Sequence, residues 1–405
     1  MLNHHANGRS RAVRAAALHG PNVWASWRQA ANHASCRVQL TGQIDRLAAS
    51  DRRGSATPRQ AALHPAARWR LRRQEGGNRN ADVPLYPIDQ TAHAVGVART
   101  SDPCATAAPR ARCLRDALRA VGAAAIDCET FTENNGANLR VAGTYAHVCA
   151  GGHLVLQPGG VDLRIIPGTV DTVDFHDPGA GLRQRAVLLS GGRAVHRATF
   201  RLADGSDTLS DWRGRHALSS RRIALPSYRA DDSIEALWRA LTDIHHFEPM
   251  LRSRGIERLA AYRTVPEDLA CCIPTDAVRA LLYALDRMQM TFMAFVGNAA
   301  VVQIFTGRIV KLVELPRCGQ LILHGRTQNG SAAVLRLSER AVAEVWLVRH
   351  FSRDGPIESL EVFDGAGKLL VQFFDARTEG RPQSAVWQRL LGELKGAAAG
   401  WRTGA

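Results

Sequence analysis

Hydrophobic and polar residues alternate along most of this chain in a way that predicts two successive β-rich regions, each led by a helix. Leu114, Leu118 and Val121 predict a short helix that Gly122 closes. Strand-like runs follow at His153–Gln157, Val161–Ile166, Val170–Phe175 and Gln184–Leu189. Gly191 and Gly192 then make a turn, and Ala194–Arg201 another strand. Trp212 opens a short segment, and residues 219–230 read as a linker. The order then recurs. Ile234, Leu237, Trp238, Leu241 and Ile244 keep helical spacing after a start at Asp232, with Glu235 three residues on as a capping box. This predicts a helix over 231–248, which Pro249 and Gly255 end or redirect. His245 falls on its inward stripe and His246 about 100° away. Asp276–Met288 is a second helix. Strands are expected at Met293–Val296, Val301–Phe305, Ile309–Leu315, Ala333–Leu337, Ala343–Arg349, Ser359–Phe363 and Leu369–Phe374. Ala385–Leu394 is a closing amphipathic helix.

The two regions read as copies in element order. Leu114–Gly122 aligns with Val278–Arg287, His153–Ile166 with Phe295–Phe305, and Arg185–Arg201 with Ser359–Asp375. The expected fold class is therefore α+β: a tandem duplication of a large antiparallel β-sheet unit with flanking helices. The expected boundaries are a tail over 1–110, a first repeat over 111–218, the linker, a second repeat over 231–396 and a C-terminal tail over 397–405. Two sheets facing across a cleft suit a flat ligand.

Composition changes this picture mainly at the N-terminus. The net charge of +15 is concentrated in residues 1–112, where 17 arginines face six acidic residues; the rest is nearly balanced. Residues 1–110 show no sustained period and are rich in Ala, Arg, Gly and Ser. They read as a basic disordered tail, a divergent helical extension, or GC-rich sequence upstream of the true start. The eight cysteines form no Cys-x-x-Cys pair and read as reduced thiols. No apolar run approaches a membrane span or a secretory leader, so the expected compartment is the cytoplasm. His245 is the candidate ligand for a metal or cofactor, although an imidazole on an apolar helical face is more often a core residue with one hydrogen bond.

Val296-Gly297-Asn298, Val302–Gly307 (VQIFTG) with Lys311, Ala343–Trp346 (AEVW), Ser359–Phe363 (SLEVF) and Arg377–Gly380 (RTEG) before Trp387 together resemble the second repeat of the bacterial HemS/HmuS haem-utilisation family. Thr242-Asp243-Ile244-His245 resembles the segment that carries the family's haem-ligating histidine. Val161–Arg164 (VDLR) resembles the strand that sets an arginine over the distal haem face. The likeness covers roughly Leu114 to Leu394 and is strongest after Glu235.

The resemblance implies a cleft between sheet and helix that takes haem b. His245 would be the axial ligand and Arg164 the distal residue. Arg258 and Lys311 would contact haem or its propionates, and Gln372, Phe374 and Arg377 would form a pocket set. It also implies a cytoplasmic protein that transfers, stores or degrades imported haem. Its partners would be an inner-membrane haem importer and a downstream haem acceptor or reductase, with neither nucleic acid nor membrane insertion expected. Haem degradation with an external electron donor is the alternative activity. A polyanion-binding role for the basic tail, or a relative that has lost haem, are the competing readings. Three positions depart from the family. Ile166 replaces an aromatic, Phe374 a tyrosine, and His246-Phe247-Glu248-Pro249 follows the ligand, leaving His246 as an alternative or transfer ligand.

Overall fold

The computed structural model describes Leu118 and residues 127–403, apart from 146–147, 151–153, 157–160, 167, 178–182, 202–213, 218–227, 229–231 and 378–379. Residues 1–110, the linker save Tyr228, and the expected helix at 114–122 save Leu118 lie outside the described residues.

Among the described residues, seventeen strands join one antiparallel network. The first nine are β1 (Cys128–Glu133), β2 (Ala137–Gly143), β3 (Val148–Ala150), β4 (Leu154–Leu156), β5 (Asp162–Ile165), β6 (Thr172–His176), β7 (Arg183–Ser190), β8 (Arg193–Arg201) and β9 (Gly214–Ala217). Helices α1 (Ile234–Arg239), α2 (Phe247–Ser253) and α3 (Arg258–Tyr262) follow. Then come β10 (Ala270–Ile273), α4 (Ala277–Met288), β11 (Phe292–Gly297), β12 (Val301–Leu315), β13 (Gln320–Thr327) and β14 (Ala332–Ser338). The chain closes with β15 (Glu344–Ser352), β16 (Gly355–Phe363), β17 (Leu369–Asp375) and α5 (Ala385–Thr403).

The pairings occur twice. The path β9–β6–β7–β8–β1–β2 is matched by β10–β15–β16–β17–β11–β12. The halves then exchange a strand: β14 pairs β2, and β5 pairs β12. The hairpin tips are built alike. Asn134 Oδ1 accepts from the amides of Gly136 and Ala137, while its Nδ2 donates to Gly297 O and Leu370 O. Asn298 Oδ1 accepts from Ala300 and Val301, and its Nδ2 donates to Glu133 O and Val195 O. The expected α+β class stands, but one correspondence changes: Phe295–Phe305 matches the β1–β2 hairpin, and Val161–Ile165 takes the place of β14. The β1–β2 hairpin escapes the hydrophobic pattern because its inward residues include Thr130 and Thr132. Both are fully buried, and their hydroxyls bond Val141 O and His196.

The second-half sheet is covered on both faces. Val278, Leu281 and Leu285 of α4, with Trp387, Leu390 and Leu394 of α5, pack against Phe292, Phe305, Phe373 and their neighbours. On the opposite face Trp238, Phe247, Met250 and Tyr262 of α1–α3 pack on Trp346, Val348 and Phe363. The alternation of Val345 and Leu347 against Trp346 and Val348 sorts one strand between the two layers. The expected strands Val301–Phe305 and Ile309–Leu315 are one strand, with no turn at Thr306-Gly307 between them. Gly307 lies inside this strand, β12, where a side chain would meet the carbonyl of Arg326 on β13. The C-terminal helix also runs on to Thr403, through most of the expected tail. Among the described residues no helix is long and apolar enough to cross a membrane.

Candidate functional site

Register places one continuous row of side chains on the face opposite α4 and α5. Asp162 of β5 opposes Ile304, Ile304 opposes Phe295, Phe295 opposes Gln372, Gln372 opposes Glu361, and Glu361 opposes Trp346. Directly opposed residues share a face. Arg164, Val302 and Gly297 form the row on one side of it; Thr306, Met293, Phe374, Ser359 and Val348 form the row on the other. The result is a half-buried apolar floor of Val302, Phe295 and Met293, with charged and polar groups at its ends.

His245 reaches this region from a turn rather than from a continuous helix. Ser233, not Asp232, caps α1, its Oγ accepting from Ala236 N, while Glu235 pairs with Arg239. The helix stops after Arg239. Asp243 is extended (φ −145°, ψ 123°) and opens a one-turn 3-10 helix over Ile244–His246, after which α2 begins. Pro249 sits in the first turn of α2, where it sacrifices no helical hydrogen bond. Trp238 Nε1 donates to Arg349 O, and Arg353 N donates to Thr242 O, so the turn is tied to β15 and the following loop. His245 is therefore 56% exposed instead of facing inward.

Its ring is held at both nitrogens. Asp243 Oδ1 accepts from His245 N and from Nδ1, both at 2.8 Å. Nε2 lies 2.7 Å from Arg164 Nη1. A guanidinium only donates, so Nε2 is the acceptor and Nδ1 carries the proton. Partial burial works to raise the Asp243 carboxyl, but the bonds from His245 and the nearby imidazoles outweigh it and hold it below the usual carboxylate range.

Arg258, Gln372 and Phe374 converge on a second cluster, centred on Glu361. This carboxylate is fully buried and accepts from Arg258 Nη1, Tyr262 Oη and Gln372 Nε2, with His350 Nε2 at 3.2 Å. Burial pushes Glu361 up, and Arg258, His350 and Tyr262 more than reverse that, bringing it down to about 2. Arg258 also bonds Glu248 and lies over the Phe247 ring. Phe374 packs against Phe295, with ring centroids 5.0 Å apart. Arg377 lies apart from the cluster, bonded to Asp354 and to Arg381 O. Lys311 is exposed on β12, opposite His324, on the floor's face but beyond Thr306.

A family model described as the haemin-degrading HemS.ChuX domain matches residues 255–394. The hemin transport protein HmuS of Yersinia pestis is 30% identical over 308 residues, covering 70% of this chain and 84% of that protein. The hemin transport protein HemS of Yersinia enterocolitica is 30% identical over 304 residues, again covering 70% and 84%. This chain belongs to the HemS/HmuS hemin transport protein family. Among solved structures, the heme oxygenase ChuS of E. coli superposes with a TM-score of 0.59 at 27% identity, over 69% of this chain and 86% of that one. Holo-PhuS, a heme-binding protein of Pseudomonas aeruginosa, gives 0.55 at 26% identity, over 68% and 83%.

Within this HemS/HmuS chain the fold brings His245 and Arg164 into contact and gathers Arg258, Gln372 and Phe374. It leaves Lys311 and Arg377 outside both groups. Sequence reasoning missed Asp162, Asp243 and Glu361. Asp162 is two residues from Arg164 on the same face; burial pushes its carboxyl up to about 6 although Arg164 pulls the other way. Asp162 Oδ1 and Arg164 Nε are both buried without a hydrogen-bond partner. Glu361 was visible only as a lone acid inside an apolar strand. Asp243 was visible as an Asx residue two before the histidine, a spacing that favours a turn over a helix.

Proposed function

We propose that this protein binds haem b as its cargo, with His245 as the axial ligand to iron and Arg164 over the opposite face. The observation that carries the reading is the His245 ring. Its Nδ1 is occupied by Asp243, which leaves Nε2 as the coordinating atom, met by Arg164 beside a half-buried apolar floor. The donor set fits a porphyrin. It offers one imidazole, aromatic and aliphatic walls in Phe295, Met293 and Val302, and the orphaned polar atoms of Arg164 and Asp162 to receive a polar ligand. Haem entry requires Arg164 to leave Nε2. In this reading Lys311, exposed on the floor's face beyond Thr306, meets a propionate. Arg258, already neutralised by Glu248 and Glu361, stiffens the walls that Gln372 and Phe374 line, while Arg377, paired with Asp354, stays outside them.

In this reading the chain works in the cytoplasm, as two repeats over 111–218 and 231–396. It receives haem from an inner-membrane importer and hands it to an acceptor. Degradation is the second reading. It is favoured by the unpartnered polar atoms of Arg164 and Asp162 and by the similarity to a heme oxygenase. Bound haem would supply the redox chemistry; the chain's residues would orient it, exclude water and hold protons at Asp162, with electrons from a separate reductase.

A hemin titration of the wild type and of His245→Ala, read at the Soret band, tests the proposal. A saturable one-to-one shift that is altered in the variant is expected, and no saturable shift in the wild type overturns it. Adding a reductant separates the two activities, since bilin-like absorbance with iron release excludes a pure carrier.

A further inference from the structure

The Thr242–His246 segment carries apolar helical spacing on both sides, yet the helix breaks there. Continued to His245, it would place the imidazole on the stripe of Trp238 and Leu241, which is buried. One side chain shapes the turn that replaces the helix. Asp243 turns its backbone extended and takes the amide of His245 with Oδ1, and the same oxygen takes Nδ1–H of that residue. Two bonds from one atom to one residue fix both the position of the turn and the rotation of the ring. Together they leave Nε2 aimed at β5, where Arg164 now meets it.

We infer that Asp243 is a positioning residue for the iron ligand: it fixes the ring's tautomer and aim, and through Nδ1–H it makes Nε2 a stronger electron donor than an imidazole bonded to a neutral acceptor. A carboxylate behind a ligating histidine raises ligand basicity and locks its orientation, and loss of such a partner typically weakens metal affinity by about 10–100-fold. Arg164 opposes this polarisation only while it holds Nε2, and iron takes that place. The inference rests on haem ligation by His245.

Resonance Raman spectra of the ferrous haem complex test it, using the full chain, Asp243→Asn, Asp243→Ala and His245→Ala. Asp243→Asn keeps an oxygen acceptor for both bonds and removes the charge, so the fold should be retained. The expected result is an iron–histidine stretching band in the wild type that disappears in His245→Ala. That band moves to lower frequency in Asp243→Asn and moves or splits further in Asp243→Ala, with haem loss to an apo-protein trap about 10–100-fold faster in the alanine variant. An unchanged frequency in Asp243→Asn together with unchanged haem loss in Asp243→Ala overturns the inference, leaving Asp243 as a turn cap while haem ligation stands. A wild type with no band dependent on His245 removes the ligand assignment itself and the inference with it.

Discussion

Arg164 and His245 stand 81 residues apart in sequence and meet at 2.7 Å, guanidinium Nη1 against imidazole Nε2. The residue proposed for one face of the ligand thus occupies the coordinating atom of the residue proposed for the other. The clasp competes with iron. A hydrogen bond to a charged group contributes about 1.5–3 kcal/mol when sheltered, and exposure here reduces that to about 1 kcal/mol. Arg164→Ala should therefore speed hemin association severalfold, up to about tenfold, while also speeding release because the opposite face loses its cover. Stopped-flow mixing with hemin measures both rates. An association rate at or below that of the wild type would show that the clasp does not gate entry.

The Arg258–Glu361 pair lies under the helical cap, with Glu361 fully buried and Arg258 18% exposed. Removing Arg258 strands the buried Glu361 charge, and removing Glu361 leaves Arg258 only Glu248 and strands the buried donors of Tyr262 and His350. Glu361→Ala should cost about 3–5 kcal/mol of stability, and Arg258→Ala a comparable amount. Replacing both by residues of similar volume, Arg258→Met with Glu361→Leu, should recover only the part that comes from the stranded charge, since Tyr262, Gln372 and His350 still lose their acceptor. Urea unfolding of the three variants decides the matter. If each single variant lost less than about 1 kcal/mol, the cluster would contribute no more than a surface ion pair does.

Most second-half strands from Phe292 onward were legible because apolar residues alternate there with polar ones or fill whole strands, as in Phe373 with Val371. The β1–β2 hairpin was not, because threonine hydroxyls bonded inside the core look polar in sequence. The turn at His245 was hidden for the opposite reason: Leu241 and Ile244 keep helical spacing through it although the helix stops after Arg239 and Asp243 caps a separate turn. Of the site, His245 stood out as a candidate ligand by its place in the helical spacing and was assigned to iron, with Arg164 opposite, only by the resemblance; their contact came from the fold. Glu361 draws on partners up to 103 residues away, through the β15–β17 register and α3, which no local pattern encodes.

Asn134 and Asn298 each close their own hairpin and donate to the other half. Alanine at either position leaves two turn amides and two strand carbonyls without a side-chain partner, which should cost about 2–4 kcal/mol given about 1–3 kcal/mol per stranded group and partial rescue by water. The near-equivalent geometry predicts similar losses at both sites. Asn134→Asp should be no better than Asn134→Ala, because it keeps the acceptor but turns a charged oxygen toward Gly297 O and Leu370 O. Denaturant midpoints compare the three directly. A loss under about 0.5 kcal/mol at both positions would mean that the exchange of strands alone holds the halves together.

His196 gives the fold an acid-sensitive limb. Its Nδ1 and Nε2 each lie 2.8 Å from a hydroxyl, those of Thr132 and Tyr145, and burial, aided by Arg197, pushes the imidazole down to about 3. An unfolded histidine titrates near about 6.5. Between these values the unfolded chain binds a proton that the folded one refuses, so stability falls as pH drops from about 6.5 toward about 3, by up to about 1.4 kcal/mol per pH unit. His350 shifts in the same direction, burial outweighing the pull of Glu361. Asp162, held up at about 6, acts in the opposite sense, taking up a proton in the folded chain before the unfolded one does. His196→Phe should lower stability at neutral pH, since two buried hydroxyls lose their ring partner. It should also flatten the decline between about pH 6.5 and 4 by close to one proton's worth. Urea unfolding at half-unit steps across that range, wild type against variant, reads the difference in slope. Parallel curves would show that His196 is protonated in the folded chain and that the acid limb belongs to other groups.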